Sequence, residues 1–469
     1  MKIKNIYYLF TLVLMGALFT GCRKLLNEEP FNAISDVDAF STPERIDKAA
    51  VGMYDALQNA DYFSGRVLIY SDMRGIDVSA NSYFGNGIWQ FSTLRSDDGV
   101  VASAYRAAYR TIYETNLFVK NLTPKMDVVP ADKANQYIGE AEYIRSLVYF
   151  YLVNLWGQPY DFTADASHLG VPLILEASSD PFSKDNNKPR ASVKDVYAQI
   201  ETDLLDAEAK LPLTNADAFT RVARATKGAA RALLMRLYLY KKDYPKALQY
   251  ANAIIGSNIY ALRPSPEVPF RDYLTTESIF SVAFSGGDNP NTNNAIGQHY
   301  GASRRGDLSI SSEYMSLFTG LDTLDKRRKN LTQVISGTYW STKYNAGTSD
   351  YVPVSRYVEV LLTKAEALAS QDAGINTEAV ALINQIRTTA NATPIAPTSK
   401  QDLINLILRE RRLELAFEGH GIQEFLRTHR EIPAHGSVTA QPWGSDYVVF
   451  PIPKYDTDKN TNLVQNKGY

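Results

Sequence analysis

Apolar residues recur at helical spacing in segment after segment of this chain, and that periodicity restricts it to a mostly α-helical fold. From Ser41 the sequence reads Ser-Thr-Pro-Glu, a capped start with proline in the first turn, followed by Ile46, Ala49, Ala50, Met53, Tyr54 and Leu57. Residues 102–121 continue the pattern through Tyr105, Ala108, Tyr109, Ile112, Leu117 and Val119, and 132–156 end in the apolar run Leu147 to Trp156. Ser192 with Asp195 forms a capping-box-like start for 193–211. Further helices are expected over 225–242, 244–256, 355–370, 377–390 and 400–418.

Two helix pairs carry a repeat signature. Leu234, Tyr238, Tyr244 and Ala247 stand at the Leu, Tyr, aromatic and Ala positions of a tetratricopeptide repeat, with Met235 and Ile254 where small residues are usual. The pair 355–370 and 377–390 repeats the logic around Ala365, Ala367 and Ala379. Such pairs bury their faces only against neighbours, so they are expected to stack into a curved scaffold. Two stretches break the pattern, 60–101 and 261–353, both rich in Gly, Asn, Ser, Asp and Tyr. Long irregular segments in a compact protein usually carry function, which makes these the expected recognition surface. They divide the chain into an N-terminal helical region, 41–260, and a C-terminal region, 261–469, with its helices at 355–418.

Charge and cysteine content narrow the function. With 49 Lys+Arg against 51 Asp+Glu the formal net charge is -2, which provides no global attraction to nucleic acid. A single cysteine excludes intramolecular disulfides and zinc sites built from several thiolates. Lys2 and Lys4 precede an apolar stretch from Ile6 to Phe19, too short to span a bilayer comfortably, so residues 1–21 read as a signal peptide. Leu18-Phe19-Thr20-Gly21-Cys22 resembles the lipobox of bacterial lipoproteins, although Leu usually stands where Phe19 is. Cys22 would then be lipidated, with 22–40 as a tether holding the protein on a membrane it does not cross.

Three separated motifs resemble the SusD/RagB family of outer-membrane nutrient-binding lipoproteins. Gly139-Glu140-Ala141-Glu142-Tyr143-Ile144-Arg145-Ser146, with Leu155-Trp156-Gly157-Gln158-Pro159-Tyr160 and Gly170-Val171-Pro172-Leu173, is similar to the family's N-terminal helix and its exit. Arg409-Glu410-Arg411-Arg412-Leu413-Glu414-Leu415-Ala416-Phe417-Glu418-Gly419-His420 resembles its C-terminal helix. Phe450-Pro451-Ile452-Pro453 with Asn460, Asn462, Gln465, Asn466 and Tyr469 is similar to its closing segment. The family commonly continues its glycine-histidine pair with Arg-Trp-Phe-Asp, where this chain has Gly421-Ile422-Gln423-Glu424. The resemblance implies a SusD-like fold, non-catalytic capture of an oligomeric nutrient, and delivery to a SusC-type TonB-dependent outer-membrane transporter. A glycan is the expected ligand and an oligopeptide, as in RagB-like relatives, the alternative. A glycoside hydrolase and a tetratricopeptide adaptor are the readings from other classes.

No catalytic residue, cofactor or metal is expected. Nucleophile-elbow, H-E-x-x-H and P-loop patterns are absent, and no motif singles out a carboxylate pair for glycoside hydrolysis. The run from Asp288 starts like an EF-hand loop but has Asn293 in place of the turn glycine and His299 in place of the final glutamate. His420 and Glu424 are four apart, with His429 and His435 nearby, yet no further ligand motif accompanies them. Within 409–418, Arg411 with Glu414 and Arg412 with Glu418 or Glu410 are expected to pair as internal ties. Sugars present apolar C–H faces and hydroxyl rims, which suits exposed aromatics flanked by amides and carboxylates. On that chemistry the candidate ligand residues are Asp72, Tyr83 and Trp89 in the first irregular stretch. Asn291, Tyr300, Arg304, Tyr339 and Trp340 are those in the second, with Trp89 and Tyr300 as the expected stacking platform.

Overall fold

The computed structural model describes residues 36–469 apart from 82–84, 92, 181 and 319. The expected signal peptide, Cys22 and the tether as far as residue 35 lie outside the described residues, as does Tyr83.

The long helices follow the periodicity closely, and shorter ones form where none was expected, including one at 66–73 within the first stretch read as irregular. Helix α1 (Pro43–Leu57) starts where the Thr42 hydroxyl accepts from the Arg45 amide, and it buries Ile46, Ala50, Met53 and Leu57. After α2 (Arg66–Met73) and β1 (Val78–Ala80) come α3 (Gly99–Leu122), capped by Asp98, and α4 (Ala131–Trp156). Helix α5 (Val193–Lys210) is capped by Ser192, and α6 (Ala218–Ala223) by Asp217. Then follow α7 (Lys227–Tyr240) and α8 (Tyr244–Ile255). Helix α4 buries almost its whole surface because α3, α5 and α1 pack around it. Its second half, Leu147 to Trp156, is accordingly apolar nearly all round.

The α7–α8 pair shows why the repeat positions matter. Ala247 is fully buried, which lets α8 approach α7, and Tyr238 stacks on Tyr250 with ring centroids 5.6 Å apart. The Tyr238 hydroxyl donates to Glu201 Oε1 at 2.7 Å, tying the pair back to α5. Met235 and Ile254, the residues departing from the repeat pattern, are both buried and fill the space that smaller residues would leave.

The segment read as irregular holds short strands. These are β2 (Ser278–Val282), the helical turn α9 (Ile296–Tyr300), β3 (Leu308–Ile310), β4 (Thr332–Ile335), β5 (Thr338–Ser341) and β6 (Val352–Arg356). They form antiparallel two-stranded pairs β1–β3, β2–β6 and the hairpin β4–β5. The hairpin turns at Ser336 and Gly337, both at positive φ, as a two-residue turn requires. The chain returns to helices with α10 (Tyr357–Gln371), α11 (Thr377–Thr389) and α12 (Lys400–Leu415). Helix α8 packs on α10, and α10 on α11 and α12, so the helices form one scaffold from end to end.

The charges of 409–418 do pair, but across elements and not within α12 as the spacing suggested. Arg411 binds Glu424 at 2.9 Å, and Arg412 binds Asp77 at 2.5 Å. Glu410 binds Arg327 at 2.6 Å and Arg387 at 2.7 Å. Glu418 receives Arg356 Nε at 2.6 Å and Lys343 Nζ at 2.5 Å. Most of these groups are buried, and a buried carboxylate needs several donors converging on it, which only distant segments can supply. The closing segment docks onto the body of the fold. Asn466 Nδ2 donates to the carbonyls of Trp156 and Phe450, Gln465 exchanges bonds with the Ile452 backbone, and Tyr469 donates to Val449.

Candidate functional site

At one face of the scaffold the first and second irregular stretches meet. Strand β1 pairs with β3 in the register Val78↔Ile310, and β5 packs beside β3. The exposed Asn81, just beyond β1, donates from Nδ2 to the carbonyl of Gly306 at 3.4 Å and to Asp307 Oδ1 at 3.2 Å. Gly306 has φ +60° and lies under the half-exposed ring of Trp340, so close that an added Cβ would stand 3.3 Å from it. Glycine suits both the backbone conformation and that approach. Arg305 extends the face by donating to Asp307 Oδ2 at 2.7 Å and to Asn293 Oδ1 at 2.9 Å. Arg66, from α2, holds the same loop through Asn294 Oδ1 at 2.7 Å. The result is a half-exposed indole flanked by amides and a guanidinium, with the buried carboxylate of Asp307 beneath them.

Asp307 anchors this face electrostatically. Burial acts to raise its carboxyl, but hydrogen bonds from His299 and Arg305 outweigh burial and hold it at about 2. Burial pushes His299 down, so the neutral imidazole donates its Nδ1 proton to the acceptor-only carboxylate at 2.8 Å. The loop from 301 to 307 is thereby fixed from beneath while its outer side chains face solvent.

The structure brings some of the expected ligand residues here and sends others into the core. Trp340 lies on the face. Tyr339, its neighbour in β5, is partly buried and packs against the core, because successive strand residues point to opposite sides. Asn291 is exposed at φ +66° in the loop that carries Asn293. Arg304 is nearby, but its guanidinium donates to the carbonyls of Gly297 and Asn345 and lies 3.7 Å from Asp350, so it clamps two loops together.

Trp89, Tyr300 and Asp72 must be corrected. Trp89 is 6% exposed and packs edge-on against His435 at 5.0 Å. Tyr300 is 1% exposed, and its hydroxyl donates to Asp72 Oδ2 at 2.9 Å. Asp72, also buried, accepts from the amides of Gly419 and Gly421, so the two residues close the core around the C-terminal motif. Burial pushes the Asp72 carboxyl up to about 7 against the pull of those donors. The stacking platform expected of Trp89 and Tyr300 is therefore replaced by core packing. Asn81, Asn293 and Arg305 were missed. Their only signal was membership of Asn- and Gly-rich runs, which does not tell a surface amide from a turn-forming one.

Glu424, four residues from His420, is engaged by Arg411 and Arg427 in a buried cluster. Among the described residues no group of three or more His, Cys, Asp or Glu side chains is placed to hold a metal ion, and no helix is long and apolar enough to cross a membrane.

Solved structures place this architecture in a known class. A SusD superfamily protein from Bacteroides vulgatus superposes with a TM-score of 0.80 at 26% identity, covering 91% of this chain and 99% of that one. One from Bacteroides fragilis gives 0.80 at 25%, covering 91% and 100%. The helical scaffold with its short strands is thus the SusD superfamily fold. In sequence, a family model described as "Starch-binding associating with outer membrane" matches residues 24–239, and the SusD family model matches 327–469. Two SusD-like proteins of Formosa agariphila, P38 and P2, align at 25% and 26% identity, over 100% and 98% of this chain and 100% and 99% of their own lengths. The chain belongs to the SusD/RagB family.

Proposed function

We propose that this protein captures an oligosaccharide at the Trp340 face, without transforming it, and delivers it to a SusC-type TonB-dependent transporter while lipid-anchored to the outer membrane through Cys22. The observation that carries the reading is the half-exposed indole of Trp340 set over Gly306, with Asn81, Asp307, Arg305 and Asn293 linked around it. An indole offers an apolar face to the C–H side of a sugar ring. The amides of Asn81 and Asn293 and the guanidinium of Arg305, tied down by the buried Asp307, then orient its hydroxyls. The outer-membrane association in the family model's description supports the location, and the lipobox-like sequence ending at Cys22 supports the anchor.

Calorimetry of the wild type and Trp340→Ala against a panel of oligosaccharides and peptides tests this. An oligosaccharide should bind the wild type and lose about 1–3 kcal/mol of affinity in the variant, as removal of an anchor side chain does, with an unchanged melting temperature. Binding of peptides alone would move the ligand to the oligopeptide class. Full affinity in Trp340→Ala would move the site.

A further inference from the structure

A cleft that shares no residue with the Trp340 face runs beside α1. Between α1, α6 and the strand β2 with the loop after it is an open cleft of about 300 Å³. Alternate residues of this strand and loop, Phe280, Val282 and Phe284, form its floor, as strand periodicity dictates. Phe219 from α6, 49% exposed, and the half-buried Tyr351 add two further rings to its walls. Tyr351 is held by stacking on Tyr273, with centroids 4.6 Å apart.

The polar groups of this cleft are one-sided. Asp55 and Asp288 both line it, both are exposed, and neither is in a salt bridge among the described residues. The side-chain nitrogen donors are already engaged, which leaves the hydroxyls of Tyr351 and Ser285. Gln58 Nε2 donates to the Ala283 carbonyl at 2.5 Å and approaches Asp288 at 3.5 Å. Arg224 is held by Glu140 and Asp47 at 2.8 and 2.9 Å. A cleft with aromatic walls and two unpaired carboxylates, but few uncommitted donors, complements a ligand that is apolar and donates without accepting. A sugar, whose hydroxyls both donate and accept, meets fewer partners here. Aromatic faces attract cations, and carboxylates strengthen that attraction.

We infer that this cleft binds an organic cation with a compact apolar or aromatic body, such as an amine- or guanidine-bearing side chain of a peptide. The inference does not rest on the oligosaccharide reading, because no residue is shared between the two sites. The test titrates the full chain in detergent with benzylamine, its neutral counterpart benzyl alcohol, and methyl α-glucoside. Each titration is repeated on Phe219→Ala and on the double variant Asp55→Asn/Asp288→Asn. Benzylamine should bind, and each variant should weaken it by about tenfold or more with the melting temperature unchanged, while benzyl alcohol is weaker and indifferent to the double variant. Absence of benzylamine binding would overturn the proposal. So would equal binding of benzyl alcohol or methyl α-glucoside, or benzylamine binding that both variants leave intact.

Discussion

Asp72 and Tyr300 stand 228 positions apart in the sequence and 2.9 Å apart in the fold, and their bond is buried. Tyr300→Phe keeps the ring and removes a donor to a buried carboxyl. Stability should fall by about 1–3 kcal/mol, measured by denaturant unfolding, while oligosaccharide affinity stays unchanged. The opposite pattern would return Tyr300 to the ligand site. Glu418 allows a test by pH. Burial acts to raise its carboxyl, but Arg356 and Lys343 outweigh that and hold it at about 2, below the ordinary 4.5. A depressed folded-state value means that the tie contributes above about pH 4.5 and is lost as pH falls through about 2. Glu418→Gln should cost about 3–5 kcal/mol at pH 7, because the buried Lys343 loses the carboxylate that binds it and Arg356 is left with Glu277 and Glu414. Its melting temperature should then fall less steeply than the wild type's between pH 5 and 2. Parallel pH profiles would show that Glu418 does not carry this tie.

At the scale of elements, helices were readable and strands were not. The long helices α1, α3 to α5, α7, α8 and α10 to α12 carry enough turns for apolar spacing and caps such as Ser192 to mark them, which is why 244–256 was expected and 244–255 found, whereas α2, α6 and α9, of five to eight residues, went unread. Strands of three to five residues, such as Val78–Ala80 and Val352–Arg356, are too short to show alternation, and β2 and β6 are buried on both faces. The candidate site suffered most from this. Burial of Trp89 follows from its contact with the distant His435, and exposure of Trp340 from how the β4–β5 hairpin packs beside β3, while both sit in equally polar sequence. Ala247 tests the repeat packing directly. Ala247→Asp should leave no cooperative thermal transition, since it buries an unpaired charge between α7 and α8. A normal melting temperature would mean that these helices do not depend on close approach there.

For the whole molecule, a helical scaffold closed by its own C-terminal segment presents a polar, loop-built face, and the proposed membrane connection is Cys22. Cys22→Ala should release the protein from the membrane fraction with its melting temperature intact, and it should abolish incorporation of a fatty-acid analogue. Label retained by the variant would remove the lipoprotein reading. The central claim, that ligand meets the Trp340 face, is tested most directly by tryptophan fluorescence during oligosaccharide titration. The chain has four tryptophans, of which Trp89 and Trp156 are buried and Trp340 and Trp443 half-exposed. Trp340→Phe should abolish the ligand-induced change in emission, whereas Trp443→Phe should leave it. A change that survives in Trp340→Phe and disappears in Trp443→Phe would contradict the account and place the ligand elsewhere.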